Sequence, residues 1–83
     1  MNSNRARAEA GLAEIVAAVK AEVASAGESG LRNDQVARAL GLESSVNGGQ
    51  RNHLTHAVLN GLVAAGELTR RKEGVRVYYS KAF

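Results

Sequence analysis

The fold of this chain is decided by residues 47–66, NGGQRNHLTHAVLNGLVAAG. In the second half of this stretch, large apolar residues recur at the spacing of one helical face. They are Leu54, Val58, Leu59 and Leu62. Gly66 is a natural place for such a helix to end. The pattern predicts a helix that begins near the glycine pair at 48–49 and buries these four residues.

The first half of the same stretch carries amide, guanidinium and imidazole groups, which hydrogen-bond to base edges and phosphates. These residues are Gln50, Arg51, Asn52, His53 and His56. At ~100° per residue, Asn52, His53, His56 and Asn60 fall on the face away from the leucines. We therefore predict a helix that is buried on one side and offers hydrogen-bonding groups on the other.

Length and composition exclude several classes of protein. A chain of 83 residues forms one small domain with little room for an enclosed substrate pocket. It has no cysteine, which excludes disulfides, thiolate metal sites and cysteine nucleophiles. The sequence contains no apolar run of the kind that is typical of a signal peptide or a membrane span, so we expect a cytoplasmic location. Because no catalytic or phosphate-binding motif occurs, we expect no enzymatic activity of this chain by itself and no cofactor.

The positive charge is concentrated in the last third of the chain. The formal net charge is +3, and residues 51–83 carry six Lys/Arg against Glu67 and Glu73. Residues 1–50 carry five Lys/Arg and six Asp/Glu. A one-sided basic surface is typical of a polyanion binder, and a solubilising charge imbalance is the alternative.

Two helices are predicted before the central stretch. Residues 1–7 are predicted to be a flexible polar arm, and the domain to occupy residues 8–83. A helix over residues 8–26 is predicted from an apolar stripe, made of Leu12, Ile15, Val16, Val19 and Val23. After a short extended segment at Leu31, a second helix is predicted to be capped by Arg32 or Asn33 and to end at Gly41.

The last segment is predicted to form a hairpin. Glu73-Gly74 suits a two-residue turn, which would pair Lys72 with Val75 and set Arg71 opposite Arg76. Strand alternation then puts Leu68, Val77 and Tyr79 on the core face, with Thr69, Arg71, Arg76 and Tyr78 on the other. Two arginines directly opposite each other repel, and we expect a bound phosphate to turn them into a clamp. The alternative is that both side chains extend into water, where screening leaves little repulsion.

This order of elements, α+β in class, resembles the winged helix-turn-helix superfamily over roughly residues 8–80. The resemblance rests on LRNDQVARALGL at 31–42, LVAAGELTR at 62–70 and EGVRVYY at 73–79. These motifs are similar to those of small repressors of the arsenic-repressor and multiple-antibiotic-resistance types. Unlike the metal-sensing repressors, this chain has no cysteine and no His/Asp sensor cluster, so their effector response is not implied. The link before the third helix is also longer and richer in glycine.

The resemblance implies that the third helix enters the major groove of duplex DNA and that the wing contacts the backbone. The base-reading residues would then be those of the central stretch at 50–53 and His56. The expected backbone contacts are Arg32, Asn33, Gly48, Gly49, Arg70, Arg71, Lys72 and Arg76.

Several of these residues have a second interpretation. Gly48 and Gly49 either cradle a phosphate or form a flexible helix entrance. Arg32 and Asn33 either contact DNA or only cap their helix. His53 and His56 are one turn apart, but zinc needs three or four ligands, so we expect no metal site. Tyr79 is predicted to lie in the core, and the place of Tyr78 stays open.

The leading functional hypothesis is a duplex-DNA-binding module. It would act as a transcription regulator, as a homodimer, or as the DNA-recognition domain of a larger enzyme such as a restriction or modification nuclease. The alternative is a protein-interaction adaptor that does not bind nucleic acid. Single-strand or RNA binding is disfavoured, because an aromatic content of 4% offers few stacking platforms.

Overall fold

Three helices are followed by a two-stranded antiparallel ribbon, which is the α+β layout of a winged helix-turn-helix domain. The computed structural model describes residues 3–43, 45–46, 49–50 and 52–82. The helices are α1 (Ser3–Ser25), α2 (Asn33–Leu40) and α3 (His53–Ala64), and the ribbon strands are β3 (Leu68–Glu73) and β4 (Arg76–Lys81). A 3-10 turn, Gly27–Ser29, separates α1 from α2, and the short strands β1 (Ser45–Val46) and β2 (Gly49–Gln50) precede α3.

Helix α1 begins earlier than predicted, because residues 3–7 of the expected arm are helical. An ion pair one turn apart, between Arg5 Nε and Glu9 Oε1 at 3.1 Å, supports this first part together with the alanines around it. Of the predicted stripe, Val19 and Val23 are fully buried and Ile15 and Val16 are half-buried. The prediction was wrong for Leu12, whose exposed fraction is 52%.

Helix α2 ends as predicted. Gly41 takes a left-handed conformation with φ of 68°, and the Leu42 N–H donates to the Ala37 carbonyl at 2.8 Å. At its start, the Arg32 N–H donates to Gln35 Oε1 at 2.8 Å, so the chain caps its own helix there. The predicted short strand is a bridge, in which Leu31 and Tyr79 exchange both backbone hydrogen bonds, at 2.9 and 2.8 Å.

Helix α3 is shorter than predicted, because the chain before it forms a small hairpin. Ser45 pairs with Gln50 and Val46 with Gly49, so Gly49 and Gln50 are strand residues. Glycine is a poor helix former, which weighs against another helical turn here. Asn52, at the helix cap, has φ of 48° and ψ of 46°, a conformation that an α-helix interior does not contain. Gly49 therefore does not lie at the N-terminus of α3, contrary to prediction.

The buried face of α3 is also partly corrected. Val58, Leu59 and Leu62 are buried as predicted, but Leu54 is 43% exposed and Thr55 is fully buried in its place. Both positions lie one turn before a buried residue, and only the packing of α3 against its neighbours decides between them. Gly66 ends the helix as predicted, and Glu67 N donates to the Leu62 carbonyl at 2.9 Å.

The hairpin exists, but its predicted register was wrong. Glu73 pairs with Arg76 and Arg71 with Tyr78, so the chain reverses at Gly74 and Val75. Gly74 takes the positive φ, 62°, that the turn requires. This register sets opposite charges across the ribbon instead of two arginines. The predicted faces hold, because the shift keeps every residue on its side: Leu68 and Tyr79 are buried and Val77 is half-buried.

All three helices and the ribbon contribute to one core. Its buried members are Val19, Val23, Val36, Val58, Leu59, Leu62, Leu68 and Tyr79. Helix α1 packs against α2, α3 and β4, while α3 packs against α2 and β3. The ribbon therefore lies beside α3, and its residues near the turn face the start of α2.

Candidate nucleic-acid interface

An open groove of about 340 Å³ lies between the start of α2, helix α3 and the ribbon. We call it the basic groove. Its described lining residues are Arg32, Asn33, Asp34, His56, Arg70, Val75, Arg76, Val77 and Tyr79. Five of the predicted interface residues line this groove, namely Arg32, Asn33, His56, Arg70 and Arg76. Two more lie beside it, because His53 is one helical turn before His56 and Lys72 pairs with Val77.

Asn60 is the centre of a hydrogen-bond network at this groove. Its Oδ1 accepts from the Tyr79 hydroxyl at 3.3 Å and from Arg70 Nη1 at 3.5 Å. Its Nδ2 donates to the His56 ring, with Nε2 at 3.1 Å. Because Tyr79 is buried, the network ties two exposed groups, Arg70 and His56, to the core.

The outward face of α3 presents His53 and His56, as predicted, and both are exposed. Asn60 belongs with them, although it was not among the predicted base-reading residues. Its position seven residues after His53, on the same helical face, was the signal in the sequence that pointed to it. The side chains of Gln50 and Arg51, and Gly48 as a whole, lie outside the described residues.

Asn52 was wrongly predicted to face outward. Its exposed fraction is 3%, and it caps α3, where its carbonyl accepts from the His56 N–H at 3.1 Å. The same carbonyl accepts from Asn33 Nδ2 at 3.3 Å, which joins the start of α2 to the start of α3. Asn33 Oδ1 is buried and has no hydrogen-bond partner in the described part of the chain. These two asparagines position the helices and are poor candidates for DNA contacts.

Arg71 lies opposite Tyr78 and not opposite Arg76, contrary to the predicted register. Its Nη1 and Nη2 donate to the carbonyls of Glu28 and Ser29, at 3.3 and 3.2 Å. Its guanidinium lies 5.1 Å from the centre of the Tyr78 ring, and Nε lies 3.4 Å from Glu73 Oε1. The predicted clamp of Arg71 and Arg76 around one phosphate is therefore excluded. Arg71 instead ties the ribbon to the turn after α1, and Tyr78 packs against it.

The remaining arginines give the groove its charge. Arg32 is paired only loosely, with 3.8 Å from its Nε to Asp34 Oδ1. Within the described residues, Arg70 and Arg76 take part in no ion pair. Three arginines thus surround the groove against one lining carboxylate, Asp34, in the described chain. Such a surface attracts an anion and holds it in water-accessible hydrogen bonds.

No cluster of three or more side chains suited to hold a metal ion occurs among the described residues. In the same part of the chain, no helix is long and apolar enough to cross a membrane.

Comparisons of this chain with protein-family models, with curated proteins and with solved structures found no match. The basic groove and the outward face of α3 are therefore the features of this chain that bear on its function.

Proposed function

We propose that this domain binds duplex DNA, with the outward face of α3 in the major groove and the ribbon along the backbone. The observation that carries the proposal is the basic groove. There, two ribbon arginines with no ion pair among the described residues lie beside the hydrogen-bonding groups of α3. The major groove of duplex DNA is wide enough to admit an α-helix such as α3. The proposal places the protein in the cytoplasm.

Each group has a definite part in this proposal. Arg32, Arg70, Lys72 and Arg76 neutralise phosphates, which fixes the position of the domain on the duplex. His53, His56 and Asn60 hydrogen-bond to base edges, and imidazole and amide groups suit purine N7 and exocyclic amines. The hydrogen bond between Asn60 and Arg70 couples base recognition to backbone contact, because it links a base-reading side chain to a phosphate-contacting one.

Salt dependence of DNA binding tests the phosphate contacts. Fluorescence anisotropy with a labelled random duplex, at several salt concentrations, should give a log–log slope of about −0.9 per neutralised phosphate. Arg76→Ser should flatten that slope by about one contact. Arg71→Ser should leave it unchanged, because Arg71 is held by the turn at residues 28–29.

A matched control for these variants is Arg38→Ser. Arg38 lies on α2 away from the groove, and its Nε is 3.7 Å from Glu43 Oε2. The Arg38→Ser substitution removes the same charge as Arg76→Ser. If both variants flatten the salt slope equally, DNA binding depends only on the net charge of the protein and not on the position of the arginine. Selection from a random duplex pool would then show whether His53→Ala and His56→Ala relax sequence preference.

A protein-interaction adaptor is the second candidate, and a specific observation favours it. Leu12 and Leu54 are large apolar side chains at the surface, and they line one depression between α1 and α3. Exposed apolar surface of this kind is typical of protein contacts. An adaptor would show no duplex binding even at low salt, which distinguishes the two functions. Within the DNA-binding proposal, the module serves as a transcription regulator or as the recognition domain of a larger enzyme.

A further inference from the structure

The surface between α1 and α3 is apolar and lies apart from the basic groove. Two adjoining depressions share Leu12, Val16 and Glu67, so they form one continuous surface. Its apolar members are Leu12, Ala13, Val16 and Ala17 on α1, Leu54, Ala57, Val58, Gly61 and Leu62 on α3, and Ala65 just after α3. We call it the α1–α3 surface.

The first half of α1 lacks the packing that usually stabilises a helix. Every residue from Ser3 to Glu14 is exposed, although α1 has 23 residues in one helix. Helical segments of this length are marginal in water without a packed face. Contact of this half with another apolar surface would stabilise it.

The charges at the ends of the α1–α3 surface indicate which partner supplies the second apolar surface. On α1, Glu9, Ala13, Val16 and Lys20 follow one another along a single helical ridge. The ridge begins with a carboxylate, ends with an ammonium group and has small or apolar residues between them. It extends over about 16 Å at 1.5 Å per residue. Lys20 also pairs with Glu67 of its own chain, yet it stays half exposed and keeps further donors.

We propose that this surface binds the α1 helix of a second copy of the chain, in antiparallel orientation about a two-fold axis. Glu9 and Lys20 are equally far from a point between Glu14 and Ile15, and so are Ala13 and Val16. Antiparallel pairing therefore sets Glu9 of each copy beside Lys20 of the other and packs Ala13 against Val16. Parallel pairing would bring like charges together at both ends. Such an isologous contact closes on itself as a dimer.

Sedimentation velocity over a concentration series tests the dimer. The mass should rise from one chain to two, and Ala13→Arg should raise the dissociation constant about tenfold or more, because it puts an unpaired cation at the centre of the contact. The matched control is Ala18→Arg, which is exposed and lies about 140° around the same helix from Ala13. It should leave the dissociation constant within about twofold. Circular dichroism checks that both variants keep the helix content of the parent chain.

The orientation is tested by cross-linking. Since the chain has no cysteine, single substitutions give unambiguous products. Under mild oxidation, a mixture of Glu9→Cys and Lys20→Cys should form a disulfide-linked pair, and Glu9→Cys alone should not. Preferential self-linking of Glu9→Cys would show parallel helices and overturn the proposal. A single-chain mass at every concentration up to millimolar would overturn it as well, and would assign the surface to a different partner. Neither measurement involves DNA, so the result is independent of the proposed function.

Discussion

Asn52 shows how one residue changes function with its place in the fold. In a longer α3 it would face DNA, but the helix begins one residue later and Asn52 is its buried cap. Its left-handed backbone suits asparagine better than most non-glycine residues. Its carbonyl accepts from both Asn33 and His56, which joins α2 to α3.

We predict that Asn52→Ala lowers the free energy of unfolding by about 1–3 kcal/mol. Alanine is unfavourable at a positive φ and cannot replace the buried amide. Urea denaturation gives the value, and the exposed neighbour provides the control: His53→Ala should change stability by less than about 0.5 kcal/mol. Equal stabilities for the two variants would show that Asn52 is not a structural cap.

At the scale of elements, the ribbon is held to the segment between α1 and α2 at two neighbouring points. Arg71 hydrogen-bonds to the turn at residues 28–29, and the bridge between Leu31 and Tyr79 lies beside it. The bridge needs a close backbone approach at Gly30, where φ is 73° and ψ is −179°. Only glycine adopts this conformation readily.

Gly30→Ala should therefore destabilise the domain by about 3 kcal/mol or more. A Cβ built at Gly30 would lie 2.7 Å from the Tyr79 carbonyl oxygen, so the bridge would have to open. Gly27→Ala is the matched control, because Gly27 also has a positive φ, 65°, but its Cβ would meet nothing within 4 Å. It should cost only about 1–2 kcal/mol. Thermal denaturation separates them, and equal losses would mean that strain alone, without the close approach, explains Gly30.

The whole molecule depends on one core to which every helix and the ribbon contribute. Leu62 belongs to that core with an exposed fraction of 4%, whereas Leu54, on the same helix, belongs to the α1–α3 surface. Substitution of Leu62 is therefore expected to change the stability of the core, and substitution of Leu54 to change the α1–α3 surface.

Leu62→Ala should lower the free energy of unfolding by about 2–5 kcal/mol, because it leaves a cavity under α3. Leu54→Ala removes the same atoms from a surface position and should cost less than about 1 kcal/mol. Chemical denaturation of the two variants, at a concentration where the chain is monomeric, compares them directly. A larger loss for Leu54→Ala would show that the originally predicted buried face of α3 is the correct one.

The sequence by itself determined the three helices, the ribbon and their order, but not the short strands β1 and β2. Periodicity located three helices, glycines at 41 and 66 marked where two of them end, and alternation assigned the ribbon faces correctly. These features depend on interactions between residues close in the chain, which a sequence displays directly. For the candidate site, local periodicity placed His53 and His56 on the face of α3 away from the core, whereas Arg70 and Arg76 were named from the resemblance to the wing of winged-helix domains.

Only the tertiary structure decided the remaining features, each of which depends on residues far apart in sequence. Alternation could not fix the ribbon register, because a shift of two residues leaves every side chain on the same face. The burial of Thr55 in place of Leu54 followed from what covers α3. Arg71 turned away from the groove because the carbonyls at residues 28–29 lie within its reach. Asn60 became the centre of the groove network because Tyr79 and Arg70 meet it there. Whether a given asparagine or arginine has a structural or a functional role depends on which distant residues it contacts. Local spacing in the sequence does not specify those contacts.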